Sequence, residues 1–283
     1  MIEIKNSSDI HSISYSPDGK VLASGSDDDT VILWSTQDGS LIRTLKGHNS
    51  DVFSVAFSPD SKVLASGSFN SKVKLWYVED GSLIRTLEGH DGPVHSVAFS
   101  PDGKVLASGC QEGTVILWST QDGSLIRKLN GHNWDVNSVA FSPDSKVLVS
   151  GSLDHTVKLW HIEDGSLIRT LEAHDHWVSS VAFSPDGKVL ASGSLDWTVK
   201  LWSTQDGSLI GILEGHVTSV VFSPDGKVLA SGSHDSSVKL WSTKDYSLIR
   251  TLKAGYVEFV AFSPDGKVLA SVSNDNTVKL WKI

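Results

Sequence analysis

Residues 52–87, VFSVAFSPDSKVLASGSFNSKVKLWYVEDGSLIRTL, carry four short apolar segments separated by turn residues. VFSVAF at 52–57, VLASGS at 63–68, KVKLW at 72–76 and SLIRTL at 82–87 are rich in Val, Leu, Ile and Phe. None sustains a helical spacing, so each reads as a strand. In the first turn Pro59 presets φ at position i+1, Asp60 follows, and the next position suits a left-handed residue that closes a hairpin. That residue is usually Gly along the chain. Ser61 and Ser145 depart from it, and a left-handed serine costs roughly 1 kcal/mol.

The same unit fills the sequence. SPDGK or SPDSK begins at Ser16, Ser58, Ser100, Ser142, Ser184, Ser223 and Ser263, with spacings of 42, 42, 42, 42, 39 and 40. Trp34, Trp76, Trp118, Trp160, Trp202, Trp241 and Trp281 keep the same spacings, so only three of the ten tryptophans lie outside the framework. Four-stranded antiparallel units at a period near 40 predict an all-β, seven-bladed β-propeller, in which each blade packs its faces against two neighbours. Residues 1–283 form one such domain on this reading.

Composition agrees. The 283 residues are 39% hydrophobic and 20% charged, enough for a sizeable core and unlike a disordered or collagen-like chain. Cys110 is the single cysteine and cannot pair internally, and Met1 to Ile10 has no basic segment leading into an apolar one, so a cytoplasmic location is expected. No run approaches the 18 or so apolar residues of a membrane span. Lys and Arg number 24 against 33 Asp and Glu, a formal charge of -9 without a basic cluster, which argues against nucleic acid as a partner.

The repeats resemble the WD-repeat (WD40) family over the whole chain. GH stands at Gly47-His48, Gly89-His90, Gly131-His132 and Gly215-His216, S-x-S-x-D follows, and a strand ends in Trp. The Asp of the family's Trp-Asp pair is missing, since Ser, Tyr, His or Lys follows each Trp. The chain ends on a third-strand signal, Thr277 to Trp281, while Ile2-Glu3-Ile4 alternates like a strand. The resemblance implies that these termini pair, with the N-terminal strand completing the last blade.

His, Ser, Asp and Trp imitate a catalytic constellation and are complete by motif position at His132, Ser150, Asp154, Trp160; at His174, Ser192, Asp196, Trp202; and at His216, Ser231, Asp235, Trp241. Catalysis needs one exposed constellation beside an oxyanion site, whereas this set recurs. The resemblance implies a buried hydrogen-bond network instead. Asn70 and Glu112 replace its Asp, Asn6 stands near the His position of the first copy, and the last copy reads Ala254-Gly255-Tyr256, so these blades are expected to be less rigid. The connectors of the sixth and seventh copies are also shortened.

Copies one, three and five share SPDGK and STQDGS, whereas two and four share SPDSK and VEDGS or IEDGS, which suggests an 84-residue duplication unit. In an up-and-down blade the first-to-second and third-to-fourth turns share one face, and there the copies barely differ. On the opposite face they diverge: Asn49-Ser50-Asp51, Asp91-Gly92-Pro93, Asn133-Trp134-Asp135 and Asp175-His176-Trp177 in one loop, and Phe69, Gln111-Glu112, Leu153, Leu195 and His234 in the other. Drift should not favour one face unless the constant turns are more constrained.

The three non-framework tryptophans, Trp134, Trp177 and Trp197, fall on the divergent face in the fourth and fifth blades, with His155, His176, Leu153 and Leu195 expected around them. Large apolar side chains on loop tips have little folding purpose, and an aromatic cluster with a polar rim is the composition of an interaction hot spot. The expectation is a non-catalytic, monomeric scaffold that presents a rigid disc to a protein or peptide, without metal or cofactor. His155, His174 and His176 lack metal-ligand spacing. Cys110 reads as a small buried residue. Arg43, Arg85, Arg127, Arg169 and Arg250 recur on the outer strand, where charge discourages edge-to-edge pairing. Other readings stay open: a sensor or regulatory part of a larger signalling protein (a nucleotide-dependent switch or kinase), a channel enzyme, or an amplified or engineered scaffold without an evolved ligand. The innermost strands read SVAFS almost throughout and offer a channel enzyme no convergent acids or metal ligands.

Overall fold

The SPDGK segment closes on itself. Ser58 Oγ donates to Asp60 Oδ1 at 2.6 Å and accepts from the Val63 amide at 2.9 Å, while the Lys62 amide donates to Asp60 at 3.0 Å. The same bonds form in the first blade from Ser16 and in the fourth from Ser142. A short acceptor two residues before the hairpin exit holds the turn without help from tertiary contacts. The following residue is left-handed as expected, with φ 73° at Gly19 and 62° at both Ser61 and Ser145. These serines have a second use: Ser61 Oγ accepts from the Asp18 amide and Ser145 Oγ from the Asp102 amide, each at 3.1 Å across a blade boundary. Those bonds offset the conformational cost.

The computed structural model describes residues 2–283, so Met1 lies outside it. Seven four-stranded antiparallel sheets form the ring. Blades 1 to 6 span residues 10–46, 52–88, 94–130, 136–172, 178–214 and 217–253, and blade 7 combines 257–282 with the N-terminal strand. Blade 4 shows the plan: inner strand Val136–Phe141, second Val147–Ser152, third Thr156–His161 and outer Leu167–Glu172. Ile2–Lys5 pairs antiparallel with the third strand of blade 7, Ile4 opposite Val278 and Lys5 opposite Thr277. Ile4 is buried in a cluster with Val278, Leu280, Ile10 and Trp34, so the expected closure joins blades 7 and 1.

Apolar clusters bridge each pair of neighbouring blades; Val31 and Leu33 of blade 1, for example, pack on Val52, Val55, Phe57 and Trp76 of blade 2. A ring of serines runs beside them. Ser12, Ser54, Ser96, Ser138, Ser180 and Ser219 each accept a hydrogen bond from a valine amide on the next inner strand, at 3.0–3.3 Å. This accounts for the constancy of SVAF. Blade 7 has Phe259 in place of the serine, and its ring packs into the cluster it shares with blade 1.

The outer-strand arginines do more than carry charge along an edge. Their stems lie across blade boundaries, where a Cβ on Gly81, Gly123, Gly165 or Gly207 in the next blade's third-to-fourth turn would overlap Arg43, Arg85, Arg127 or Arg169. Arg43 also donates to the Glu79 carbonyl at 3.2 Å. At one boundary both partners change: Gly211 stands at the arginine position, and left-handed Tyr246 (φ 61°) stands at the glycine position with its ring 3.1 Å from where a Gly211 Cβ would sit.

Candidate interaction face

The His–Ser–Asp–Trp network assembles in blades 4 and 5. His132 Nδ1 lies 2.9 Å from Asp154, its Nε2 lies 2.7 Å from Ser150 Oγ, and Trp160 Nε1 donates to that hydroxyl at 2.9 Å. His174, Asp196, Ser192 and Trp202 repeat it at 2.8, 2.8 and 2.9 Å. Burial pushes the Asp154 carboxyl up, but bonds from His132 and Thr156 outweigh it and hold the group below its usual range. Each serine is committed to an indole and an imidazole inside the blade, which is a structural use of the triad residues.

Blade 6 corrects the sequence reading. Trp241 still donates to Ser231 at 3.0 Å, but His216 is not part of that network, and Asp235 receives Ser237 instead. The shortened connector is the reason: His216 directly precedes the inner strand Val217–Phe222, the place held by Asp135 and Trp177 in blades 4 and 5. Its ring turns to Trp197 (4.9 Å between centroids) and His234 (5.0 Å), while Lys239 reaches over Trp241 at 6.0 Å and pairs with Asp235 at 3.6 Å.

Blades 2 and 3 keep the His–Ser–Trp bonds but change the Asp. Asn70 reaches His48 Nδ1 at 3.4 Å, whereas in blade 3, where Glu112 takes the Asp position in sequence, His90 Nδ1 is buried without a partner. Glu112→Asp is expected to supply that bond and raise stability by about 1 kcal/mol, seen as a higher melting temperature; no rise would contradict the placement. Burial lowers both His48 and His90 from 6.5 to about 4. The unfolded chain therefore binds protons that these folded rings refuse. Their contribution to stability is complete above about pH 6.5 and is lost progressively as pH falls to about 4, so melting temperature should drop through that window. A flat profile there would contradict their burial.

The constant face owes its constancy to folding. Besides the bonded SPDGK turns, the Ser82 amide and hydroxyl both bind Asp80, at 2.9 and 2.7 Å, and Asp122 and Asp164 hold equivalent serines. Sequence constancy on that side is thus no measure of the other. The divergent face stands on its exposed side chains. Trp134, Trp177 and Trp197 are 57%, 40% and 60% exposed, and Phe69 and Tyr256 are exposed on the same side.

All three tryptophans lie at one end of the disc, but Trp177 and Trp197 belong to separate aromatic runs. Ser152 Oγ donates to the Trp134 carbonyl at 3.0 Å and the Leu153 amide to the Asp135 carbonyl at 2.9 Å, tying the connector to the Leu153 turn. His155 and His176 stack at 6.1 Å, and His176 meets Trp177 at 5.0 Å. The Leu195 amide donates to the Trp177 carbonyl at 3.2 Å. Trp197 instead begins a second run, Trp197–His216–His234–Tyr256, which leads away into blades 6 and 7. Among the described residues no group of three His, Cys, Asp or Glu could hold a metal ion, and His174 is committed to its network. Cys110 is buried, and burial raises its thiol.

The sequence reading missed a ring at the channel mouth. In every inner strand the ladder shifts register after the first residue, leaving the second as a bulge: His11, Phe53, His95, Asn137, Ser179, Thr218 and Glu258. A bulge re-aims its side chain, and all seven line a central channel of about 1070 Å³. So SVAFS hides two imidazoles and a carboxylate just before it. The available signal was variation, since six residue types share these seven positions while the framework residues after them barely change.

A closed ring of seven four-stranded blades with a variable face defines a propeller of the repeat class. The family model for "WD domain, G-beta repeat" matches residues 3–35, 39–77, 81–119, 123–161, 165–203, 207–242 and 246–282, and the chain belongs to the WD40 family. A comparison with curated proteins finds no match. No helix is long and apolar enough to cross a membrane.

Proposed function

We propose that this chain is a non-catalytic scaffold, a single-domain disc that captures a protein or peptide on its divergent face. Trp134, Trp177 and Trp197 act as anchors, with Leu153, His155, His176 and Leu195 around them. The observation that carries this reading is the exposure of three indoles at one end of the ring, two on connectors and Trp197 on a second-to-third turn. Their backbones are already fixed by cross-loop hydrogen bonds, so a partner meets large apolar surface at little cost in ordering. The His–Ser–Asp sets are occupied by framework indoles, which favours binding over chemistry.

Truncating a central anchor to Ala is expected to weaken a partner by roughly 2 kcal/mol or more. A pull-down from source cells with the intact chain and with the Trp134, Trp177 and Trp197 triple Ala variant tests this. Loss of the same captured species from the variant is expected, and equal capture by both removes the anchors from the account.

A further inference from the structure

The channel-mouth ring divides into two unlike halves. In blades 4 to 6 its side chains serve the fold. Asn137 Nδ2 donates to the Val178 carbonyl at 3.5 Å, Ser179 Oγ to Val217 at 2.6 Å and Thr218 Oγ1 to Val257 at 2.8 Å, each on the next inner strand. In blades 7, 1, 2 and 3 the ring reads Glu258, His11, Phe53 and His95, and these side chains meet each other or loop residues instead. Phe53 packs between His11 (5.2 Å, edge-on) and His95 (5.3 Å, stacked), with exposed Phe69 edge-on at 6.0 Å. His11 Nε2 is buried without a partner. Glu258 faces His234 at 3.4 Å, and His95 faces Asp135 at 3.4 Å.

The loops around this half carry one sign of charge. Asp9, Asp27, Asp28, Asp29, Asp51, Asp91 and Glu112 lie in the connectors and second-to-third turns of blades 1 to 3, which contain no Lys or Arg. Among the described residues, Asp91 is the one of these acids that meets a Lys or Arg, Lys128 at 3.9 Å. An aromatic wall lining the cavity, a carboxylate elsewhere on the same channel wall and an acidic surround fit a cationic side chain: the rings attract it and the acids steer it in. The same sign of charge repels nucleic acid.

We propose that the channel mouth over blades 7, 1, 2 and 3 seats a Lys or Arg side chain of a basic peptide segment, with Phe53 and Glu258 setting that specificity. The proposal rests on the divergent face being the binding face and deepens that reading by naming the partner's chemistry.

The test pans a display library of random linear peptides against the intact chain and synthesises the strongest binder. Enrichment of Lys and Arg over Asp and Glu is expected, with binding that weakens about tenfold from low to high salt. Glu258→Gln should weaken the peptide about tenfold while the melting temperature holds, and Phe53→Leu, which keeps apolar bulk but removes the ring, should weaken it by a similar factor. Recovery of no binder, of binders without excess Lys or Arg, or of binders indifferent to both substitutions overturns the proposal. The Trp triple variant, measured with the same peptide, separates the two readings. Sensitivity to the tryptophans alone leaves the rim standing without the basic subsite, and sensitivity to Phe53 and Glu258 alone does the reverse.

Discussion

Removing residues 1–5 should lower the melting temperature by about 10 °C, corresponding to a loss of roughly 3–5 kcal/mol. The deletion takes away the antiparallel ladder from Ile2–Lys5 to blade 7 and exposes the edge of Thr277–Lys282. It also empties the place of Ile4 in the cluster that holds Ile10, Trp34, Val278 and Leu280. This junction has less in reserve than the others, because Phe259 replaces the serine whose hydroxyl links inner strands elsewhere. A closed propeller distributes strain around the ring, so opening one junction frees both blades beside it. Thermal unfolding followed by circular dichroism gives the answer, and a melting temperature within about 2 °C of the intact chain would show that closure contributes under ~1 kcal/mol.

The second large effect is an interaction between two substitutions at the boundary of blades 5 and 6. Gly211→Arg alone places a side chain against the Tyr246 ring and should cost about 1–3 kcal/mol by overpacking. Tyr246→Gly alone leaves glycine facing glycine and removes a ring that packs on the cluster of Leu201, Leu213 and Trp241, at about 2–4 kcal/mol. Together the changes recreate the Arg–Gly pair found at Arg43–Gly81, Arg85–Gly123, Arg127–Gly165 and Arg169–Gly207. Gly at position 246 also relieves a left-handed non-glycine residue. The double variant should therefore recover most of the stability, with a coupling of about 2 kcal/mol or more in chemical denaturation. Additive losses would mean that the two positions do not share one space.

The periodic elements of this protein were legible because their causes are local. SPDGK is its own hydrogen-bonded turn, each framework Trp sits ten residues after the serine that accepts from its indole, and Ile2-Glu3-Ile4 alternates as a strand must. Features set by register or by a neighbouring blade were less legible. His216 matched the Gly-His signature, but three missing connector residues moved it onto the face. The outer arginines looked like solvated charge until the glycines beyond the next blade boundary showed what their stems pack against. The bulged ring was hidden because a bulge changes where a side chain points without changing the pattern around it. For the interaction face, sequence placed the three indoles at one end of the disc; it did not separate Trp197 from Trp177, since that depends on which loop each ring leans toward.

The central claim is that binding occurs on the end of the disc carrying the connectors and second-to-third turns. Hydrogen–deuterium exchange of the intact chain with and without its captured partner tests it most directly. The account predicts slowed exchange at 131–135, 173–177, 153–155 and 195–197, with the SPDGK turns unchanged. Slowed exchange confined to the SPDGK turns and the Asp-Gly-Ser turns would place the partner on the opposite face and contradict it.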